Sequence, residues 1–218
     1  MFGKILRYLF FLFIVKPFIY LGLGINVSGA EYLHKIIKEP SIIVANHNSH
    51  VDTLLLLSLF NCHQILHIHP VAAADYFCNT KLKAFIFKTL LGIIPISRKV
   101  RKASEEELFK DINEALRNGE SIIIYPEGTR GEDNTIKNFK SGVAHIAKMN
   151  PNVPVVPVYI NGPDRILPKG AILWVPFIAD VYISEPIYYD GTPTKVFTER
   201  IKNEVEKLKE EHKRREEL

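Results

Sequence analysis

The sequence predicts an α/β protein in which a mostly parallel central sheet is covered by helices and preceded by an apolar helical segment. Short apolar runs alternate with helical patterns, as they do in chains that build parallel sheets. These runs are apolar throughout, which is typical of strands buried on both faces. The first 25 residues form a separate apolar stretch, so the chain divides into residues 1–28 and a domain over residues 29–218.

The elements of the domain follow from these patterns in chain order. Strands are predicted at Ser41–Ala45, within Ile65–Ala73, and at Ile93–Ile96, Ser121–Tyr125, Val155–Ile160 and Phe177–Ile183. Helices are predicted at Val51–Phe60, Thr80–Leu91 and Gly142–Met149, and along the C-terminus. A further helix is predicted to begin at the capping box Ser104-x-x-Glu107 and to end just before Gly119. In a parallel sheet the ligand site lies beyond the carboxyl ends of the strands.

Composition excludes several classes of protein. With 47% hydrophobic and 24% charged residues, the chain of 218 residues is a folded domain rather than a disordered segment. Its net charge of +4 is too small to argue for a nucleic-acid partner. Two cysteines, Cys62 and Cys78, exclude a disulfide scaffold and a four-cysteine zinc site, and we expect them in the core.

The N-terminal stretch is both apolar and basic. Between Ile5 and Ile25, 16 of 21 residues are aliphatic or aromatic, and no acid occurs before Glu31. Lys16 and Pro17 interrupt the run near its centre, which favours two short helices hinged at Pro17 and lying in the lipid interface. A buried core helix, a membrane span and a signal peptide are the alternatives, although no small-residue cleavage site follows the run.

A second basic segment, Lys81–Lys102, carries seven basic residues and no acids, with apolar residues interleaved. This pattern is typical of contact with a membrane surface or of the wall of an anion site, and an ordinary helix with a solvated basic face is the alternative. Arg98 follows the predicted strand Ile93–Ile96, which makes it a candidate for the cleft beyond the strands. A surface arginine is the alternative there.

The first candidate site follows the predicted strand Ser41–Ala45. His47 leaves that strand and Asp52 enters the next helix five residues later, so a compact turn can bring the carboxylate against one imidazole nitrogen. Such a contact fixes the tautomer and leaves the other nitrogen free as a general base. The neighbouring histidines lack the spacing of a helix-borne metal site, and we expect no metal. Ser49 lacks the G-x-S-x-G elbow of a nucleophile.

The second candidate site follows the predicted strand Ser121–Tyr125. Gly128 allows a ligand to approach the backbone, Thr129 offers a hydroxyl, and Arg130 offers a planar fork suited to phosphate. Glu127 is expected to hold the loop or the arginine in place. Walker A and dinucleotide motifs are absent from this loop, and a plain strand-to-loop turn is the alternative.

Together these segments resemble the glycerophospholipid acyltransferase family, whose best-known member acylates 1-acyl-glycerol 3-phosphate. The resemblance depends on ordered blocks from about Pro40 to Ile160. The blocks are Asn46-His47-x-Ser49-x-x-Asp52, Gly92 through Arg98, Tyr125-Pro126-Glu127-Gly128-Thr129-Arg130 with Tyr in place of Phe, Phe139-Lys140-Ser141-Gly142, and Val153 through Val158.

The resemblance implies a mechanism. His47 takes the proton from a lysolipid hydroxyl while the oxygen attacks an acyl thioester, and Asp52 orients His47. No covalent acyl-enzyme and no cofactor are implied. The donor is acyl-CoA or acyl carrier protein, and the preferred acceptor is lysophosphatidate, which gives phosphatidate. The implied substrate-binding residues are Asn46, Ser49, Arg98, Glu127, Gly128, Thr129 and Arg130.

One departure from the family pattern bears on the acceptor. Many members carry a lysine early in the second block, where this chain has Ala73-Ala74-Asp75. Acylation of another lysophospholipid or of a lyso-aminolipid is therefore an alternative, and a non-catalytic membrane module that binds lipid is a further one. In each case we expect residues 1–28 to hold the protein at a membrane, on its cytoplasmic face.

Overall fold

A computed structural model of the chain describes residues 2–49, 51–77, 80–97, 104–131, 135–162 and 177–217. The described residues form a seven-stranded sheet with helices on both faces, which confirms the predicted α/β fold class. Cys78 and Arg98, which the sequence analysis named, lie outside the described residues.

The sheet is mostly parallel. Its strands are β1 (Leu23–Ser28), β2 (Ile42–Ala45), β3 (Ile68–Ala73), β4 (Ile94–Ile96), β5 (Ser121–Ile124), β6 (Val155–Asn161) and β7 (Phe177–Ile183). They lie in the order β1-β7-β6-β2-β5-β3-β4. Every neighbouring pair is parallel except β6 and β7. The five strands from β6 to β4 therefore present their carboxyl ends at one edge.

Helices connect the strands and cover the sheet. They span Phe2–Gly22, Ala30–Lys38, Val51–Ser58, Ala74–Phe77, Lys81–Ile86 with a π turn at Phe87–Leu91, Glu105–Leu108, Lys110–Arg117, Gly142–Met149 and Thr194–Glu216. Each predicted strand and helix is present. Strand β1 and the helices Ala30–Lys38 and Ala74–Phe77 were not predicted. β1 was missed because its alternating edge-strand pattern continues directly from the apolar N-terminal run.

Helix ends and faces follow the sequence signals. The Oγ of Ser104 accepts a hydrogen bond from the backbone N–H of Glu107 (3.2 Å), which confirms Ser104 as the N-cap of this helix. That helix is interrupted once, at Phe109, whose φ of −101° departs from helical geometry while its ring enters the core. The C-terminal helix (Thr194–Glu216) buries one apolar stripe, with Phe197 and Ile201 among its members.

The N-terminal helix is continuous from Phe2 to Gly22, so the hinge predicted at Pro17 is wrong. A π turn at Phe11–Val15 precedes the proline instead. The carbonyl four residues before Pro17, with which its ring would clash in a regular helix, lies within that widened turn. The irregularity is thereby absorbed without a bend into two helices.

Two apolar cores lie on opposite faces of the sheet. One contains the N-terminal helix and Val51–Ser58, and the other contains Gly142–Met149 and the C-terminal helix. Neighbours on β2 such as Ile42 and Ile43 belong to different cores, because successive side chains of a strand point to opposite faces.

Candidate active site

The candidate site lies where β2 and β5 end side by side. These strands are parallel neighbours, with Val44 paired to Ile124. Beyond β2 the chain enters the helix Val51–Ser58 on one face, and beyond β5 it leads to Gly142–Met149 on the other. Connections that diverge from adjacent parallel strands open a crevice at their carboxyl ends. The structure therefore brings both predicted site segments to one place.

Asn46 fixes the start of the first segment. Its side-chain amide donates to the carbonyl oxygen of Ile160 (2.9 Å) and accepts from the backbone N–H of the same residue (2.8 Å). The side-chain amide of Asn46 thus extends the pairing of β2 with β6 by one residue, in place of backbone hydrogen bonds. The residue after it, His47, leaves the sheet from a fixed position.

His47 and Asp52 are in direct contact. The Nδ1 of His47 lies 3.0 Å from Oδ2 of Asp52, a carboxyl group that is only 1% exposed. The same oxygen accepts the backbone N–H groups of Asn48 and Ser49, each at 2.8 Å. A carboxylate can only accept, so Nδ1 carries the proton and Nε2 presents its lone pair. No residue in the described part of the chain hydrogen-bonds to Nε2.

Tyr125, the last residue before the second segment, stacks on this imidazole. The two ring centroids are 4.2 Å apart and the ring planes differ by 21°. The tyrosine hydroxyl lies 3.0 Å from the Oγ1 of Thr53, which follows Asp52 on the helix. Burial of the phenol, beside the charge of Asp52, raises the pKa of Tyr125, so its hydroxyl stays protonated.

Glu127 ties the two segments together. One carboxylate oxygen accepts the backbone N–H of His47 (2.9 Å), and the other accepts that of Lys137 (3.1 Å). The residue is 4% exposed, and burial raises the pKa of its carboxyl while the two N–H groups oppose that rise. Glu127 therefore holds the loop, which is one of the two roles expected of it, and it does so through backbone groups.

Two glycines of the second segment stand where a side chain would collide. Gly128 has a φ of +72°, and the ammonium of Lys140 passes over the face that a Cβ would occupy. A Cβ at Gly131 would meet the Oδ1 of Asn48 at 2.7 Å, and the N–H of Gly131 donates to the carbonyl of His47 (2.7 Å). The sequence did not point to Gly131 or to Lys140 as site residues, because their partners are distant along the chain.

The remaining predicted residues have different surroundings. Thr129 and Arg130 are exposed on the loop. The Oγ of Ser49 accepts the backbone N–H of Val51 (3.2 Å), so it caps the helix that carries Asp52. Cys62 is buried, as expected. Among the described residues, no group of three or more histidine, cysteine or acidic side chains is placed to hold a metal ion.

Comparison with known proteins bears on this geometry. The sequence matches the acyltransferase family over residues 24–161, more than half of the chain. The chain belongs to the acyltransferase family. This confirms the resemblance found in the ordered motifs, all of which lie inside the matched range.

Relatives and a solved structure place the chain within that family. It is 29% identical over 153 residues to a chloroplastic 1-acyl-sn-glycerol-3-phosphate acyltransferase of Arabidopsis thaliana, which covers 67% of this chain and 38% of that protein. It is 28% identical over 198 residues to the 1-acyl-sn-glycerol-3-phosphate acyltransferase of Saccharomyces cerevisiae, covering 87% and 61%. The chain thus spans less than two thirds of the length of either relative.

The crystal structure of the 1-acyl-sn-glycerophosphate acyltransferase PlsC from Thermotoga maritima superimposes with a TM-score of 0.69. The match covers 96% of both chains at 23% sequence identity. At this identity the likeness establishes the fold of this chain and does not assign its substrates.

Proposed function

We propose that this protein transfers an acyl group from a thioester to the free hydroxyl of a lysophospholipid, with 1-acyl-glycerol 3-phosphate as the preferred acceptor. The observation that carries the proposal is the buried contact between Nδ1 of His47 and Asp52, which leaves Nε2 as an accessible base. A module that only binds lipid has no need of an oriented base. The relatives, named for acylation of 1-acyl-sn-glycerol 3-phosphate, support the same reaction.

The reaction proceeds by direct transfer. The acceptor oxygen bonds to the thioester carbonyl carbon while its proton passes to Nε2 of His47. The tetrahedral intermediate then collapses, the carbon–sulfur bond breaks, and His47 returns the proton to the departing thiolate. An ester and a free thiol are the products. Asp52 holds the imidazole in the required tautomer and stabilises the imidazolium between the two steps.

The acceptor phosphate binds at the second segment. Arg130 is exposed there, and its planar guanidinium suits a phosphate group. Lys140 adds a second cation over Gly128. This cation stands in for the lysine that the chain lacks at Ala73-Ala74-Asp75, so phosphate rather than an amine headgroup is favoured. Thr129 and Arg98 complete the proposed set.

The protein works on a membrane surface, where the acceptor resides. In the part of the chain that the structure describes, one helix, Phe2–Gly22, is long and apolar enough to cross a membrane by length and composition. Its inner face packs into the core through Phe11, Val15 and Ile19, which are buried. A helix packed along the domain in this way lies in the interface rather than spanning the bilayer. The thioester donors, acyl-CoA and acyl carrier protein, would reach it from the cytoplasmic face.

Replacement of the base tests the reaction directly. We expect His47→Ala and Asp52→Asn to lower kcat by about a hundredfold or more, which is the usual contribution of a general base. The control is His67→Ala, at an exposed histidine away from the two segments. Turnover would be measured with purified protein across several lysolipids and both thioester donors, and folding by thermal unfolding.

The outcomes separate the alternatives. Near-normal turnover in a folded His47→Ala protein would contradict the assigned base. Preference for a lysolipid without a phosphomonoester would replace the proposed acceptor with another lysophospholipid or a lyso-aminolipid. Absence of thioester-dependent turnover in the wild-type protein would favour the lipid-binding module.

A further inference from the structure

We propose that Tyr125 is a positioning residue that fixes the plane of the His47 imidazole, an inference that rests on the proposed function of His47 as a base. The stacked rings, with centroids 4.2 Å apart, are its first support. The contact of the tyrosine hydroxyl with Thr53 (3.0 Å), one residue beyond Asp52, is its second.

A single hydrogen bond does not orient an imidazole completely. The contact between Nδ1 and Asp52 holds one edge of the ring, but the ring can still swing out of its plane about that edge. The face of Tyr125 lies nearly parallel to the imidazole and blocks that swing. An edge contact and a face contact together define where the lone pair of Nε2 points, and transfer rates depend steeply on such alignment.

The tyrosine is itself held at both ends. Its backbone carbonyl accepts the N–H of Gly128 (3.1 Å), which is part of the turn that follows β5. Its hydroxyl contacts Thr53 on the helix that also carries Asp52. One helical turn therefore supplies the partner for the imidazole edge and the partner for the ring that covers the imidazole face. The base, its carboxylate and its aromatic cover form one unit across β2 and β5.

The stack also favours the charged state that forms during the reaction. An aromatic face attracts a cation through its quadrupole, so Tyr125 interacts more strongly with imidazolium than with neutral imidazole. This gain exists only after the proton has moved to His47. Interactions that appear during the chemical step raise kcat, whereas KM reports binding common to ground and transition states.

The ring and the hydroxyl can be tested separately. Tyr125→Phe keeps the stack and removes the hydroxyl, Tyr125→Leu removes the aromatic face, and Thr53→Val removes the partner of the hydroxyl. We expect Tyr125→Leu to lower kcat about tenfold, with KM for both substrates within about twofold of wild type. We expect Tyr125→Phe and Thr53→Val to lower kcat by no more than about threefold, since the ring still stacks in both but is no longer held through its hydroxyl.

A spectroscopic measurement checks the stack without reference to turnover. The Hε1 proton of His47 lies in the ring current of Tyr125, so its resonance should be displaced upfield in the wild type and in Tyr125→Phe. It should return downfield in Tyr125→Leu. Thermal unfolding of each variant shows whether the protein compared is folded.

Three results would overturn the inference. These are a folded Tyr125→Leu protein with wild-type kcat, a Phe variant as impaired as the Leu variant, and a loss in the Leu variant that appears in KM alone. An inactive wild-type protein would instead overturn the proposed function.

Discussion

At the scale of single residues, Glu127 fixes the position of the second site segment relative to the first. Its two oxygens hold the backbone N–H groups of His47 and Lys137, which lie on different segments. Both contacts are to backbone groups, so Glu127 holds the loop without engaging its cationic side chains. This leaves the cations of the loop, Arg130 and Lys140, for the ligand.

The acceptor phosphate should therefore depend on those two cations. A hydrogen bond to a charged group contributes about 1.5–3 kcal/mol, so Arg130→Ala should raise the acceptor KM about tenfold or more. Lys140→Met should raise it in the same direction, and the donor KM should stay near wild type in both. Initial-rate measurements with each substrate varied in turn provide the check.

Arg117→Ala is the matched control, because Arg117 is exposed at the end of the helix that leads into the opposite end of β5. A defect confined to the donor KM in Arg130→Ala would refute the phosphate role. An unchanged acceptor KM in Lys140→Met would remove Lys140 from the proposed site.

At the scale of elements, polar contacts anchor the N-terminal helix to the domain. Arg7 is 3% exposed, and its Nη2 donates to the carbonyl of Ile68 at the start of β3 (2.7 Å). Lys16 donates to the carbonyl of Ser58 (2.8 Å). Burial lowers the pKa of Arg7 to about 10, partly offset by the charge of Glu120, so the guanidinium remains protonated at neutral pH.

Gly92 makes room for this arginine. Its φ is +67°, and a Cβ would fall on the Nη1 of Arg7. Gly119 has a similar φ of +78° with nothing within 4 Å of a Cβ. We expect Gly119→Ala to cost about 1–2 kcal/mol of unfolding free energy from backbone strain alone. Gly92→Ala should cost about 1.5–3 kcal/mol more, because the charged guanidinium of Arg7 must give up its buried hydrogen bond to Ile68.

Urea unfolding of the two variants measures the difference, and a double-mutant cycle identifies its source. In an Arg7→Met background, Gly92→Ala should cost about as much as Gly119→Ala, because the arginine is no longer displaced. Equal costs for the two glycines in the wild-type background would show that Arg7 moves freely.

The same elements show which features the sequence could predict. The contact of His47 with Asp52 was predictable because it spans five residues and is closed by one turn. The contacts of Gly92 with Arg7 and of Gly131 with Asn48 join residues far apart in the chain, and no local spacing signals them. Strand bounds followed from uninterrupted apolar runs, whereas β1 was concealed by the apolar run before it. The order of the strands in the sheet could not be predicted from the sequence, because it depends on which strands pair. β5, for example, lies between β2 and β3.

At the scale of the whole molecule, the exposed apolar side chains collect on the outer side of the N-terminal helix. Phe13, Ile14 and Leu21 are among them, and Leu21 is 89% exposed. Phe85 and Ile86 are also exposed, on the helix that packs against the N-terminal helix. Large exposed apolar patches of this kind mark interaction surfaces, and a lipid surface matches the lysophospholipid proposed as the acceptor.

Deletion of the helix would be a poor test of that surface. Residues 1–25 include Phe11, Val15 and Ile19, which are buried in the core, and the first half of β1. A truncated protein would lose its fold together with the apolar surface proposed to bind the membrane. Substitutions restricted to the outer face separate the two effects, because those side chains contribute little to the core.

The combined variant Phe13→Gln, Ile14→Gln and Leu21→Gln should therefore remain folded and lose membrane binding. Burial of each side chain in lipid contributes up to about 1.5–3 kcal/mol, so the partition coefficient should fall at least about tenfold even if insertion is shallow. Flotation with vesicles that contain anionic lipid measures it, and Val196→Gln, at an exposed position on the C-terminal helix, is the control. Binding that persists at high salt in the wild type identifies the apolar face as the main contact, since salt screens only the basic contribution. A triple variant that still binds vesicles like the wild type would show that another surface binds the membrane, and Lys81–Lys102 would be the next segment to test.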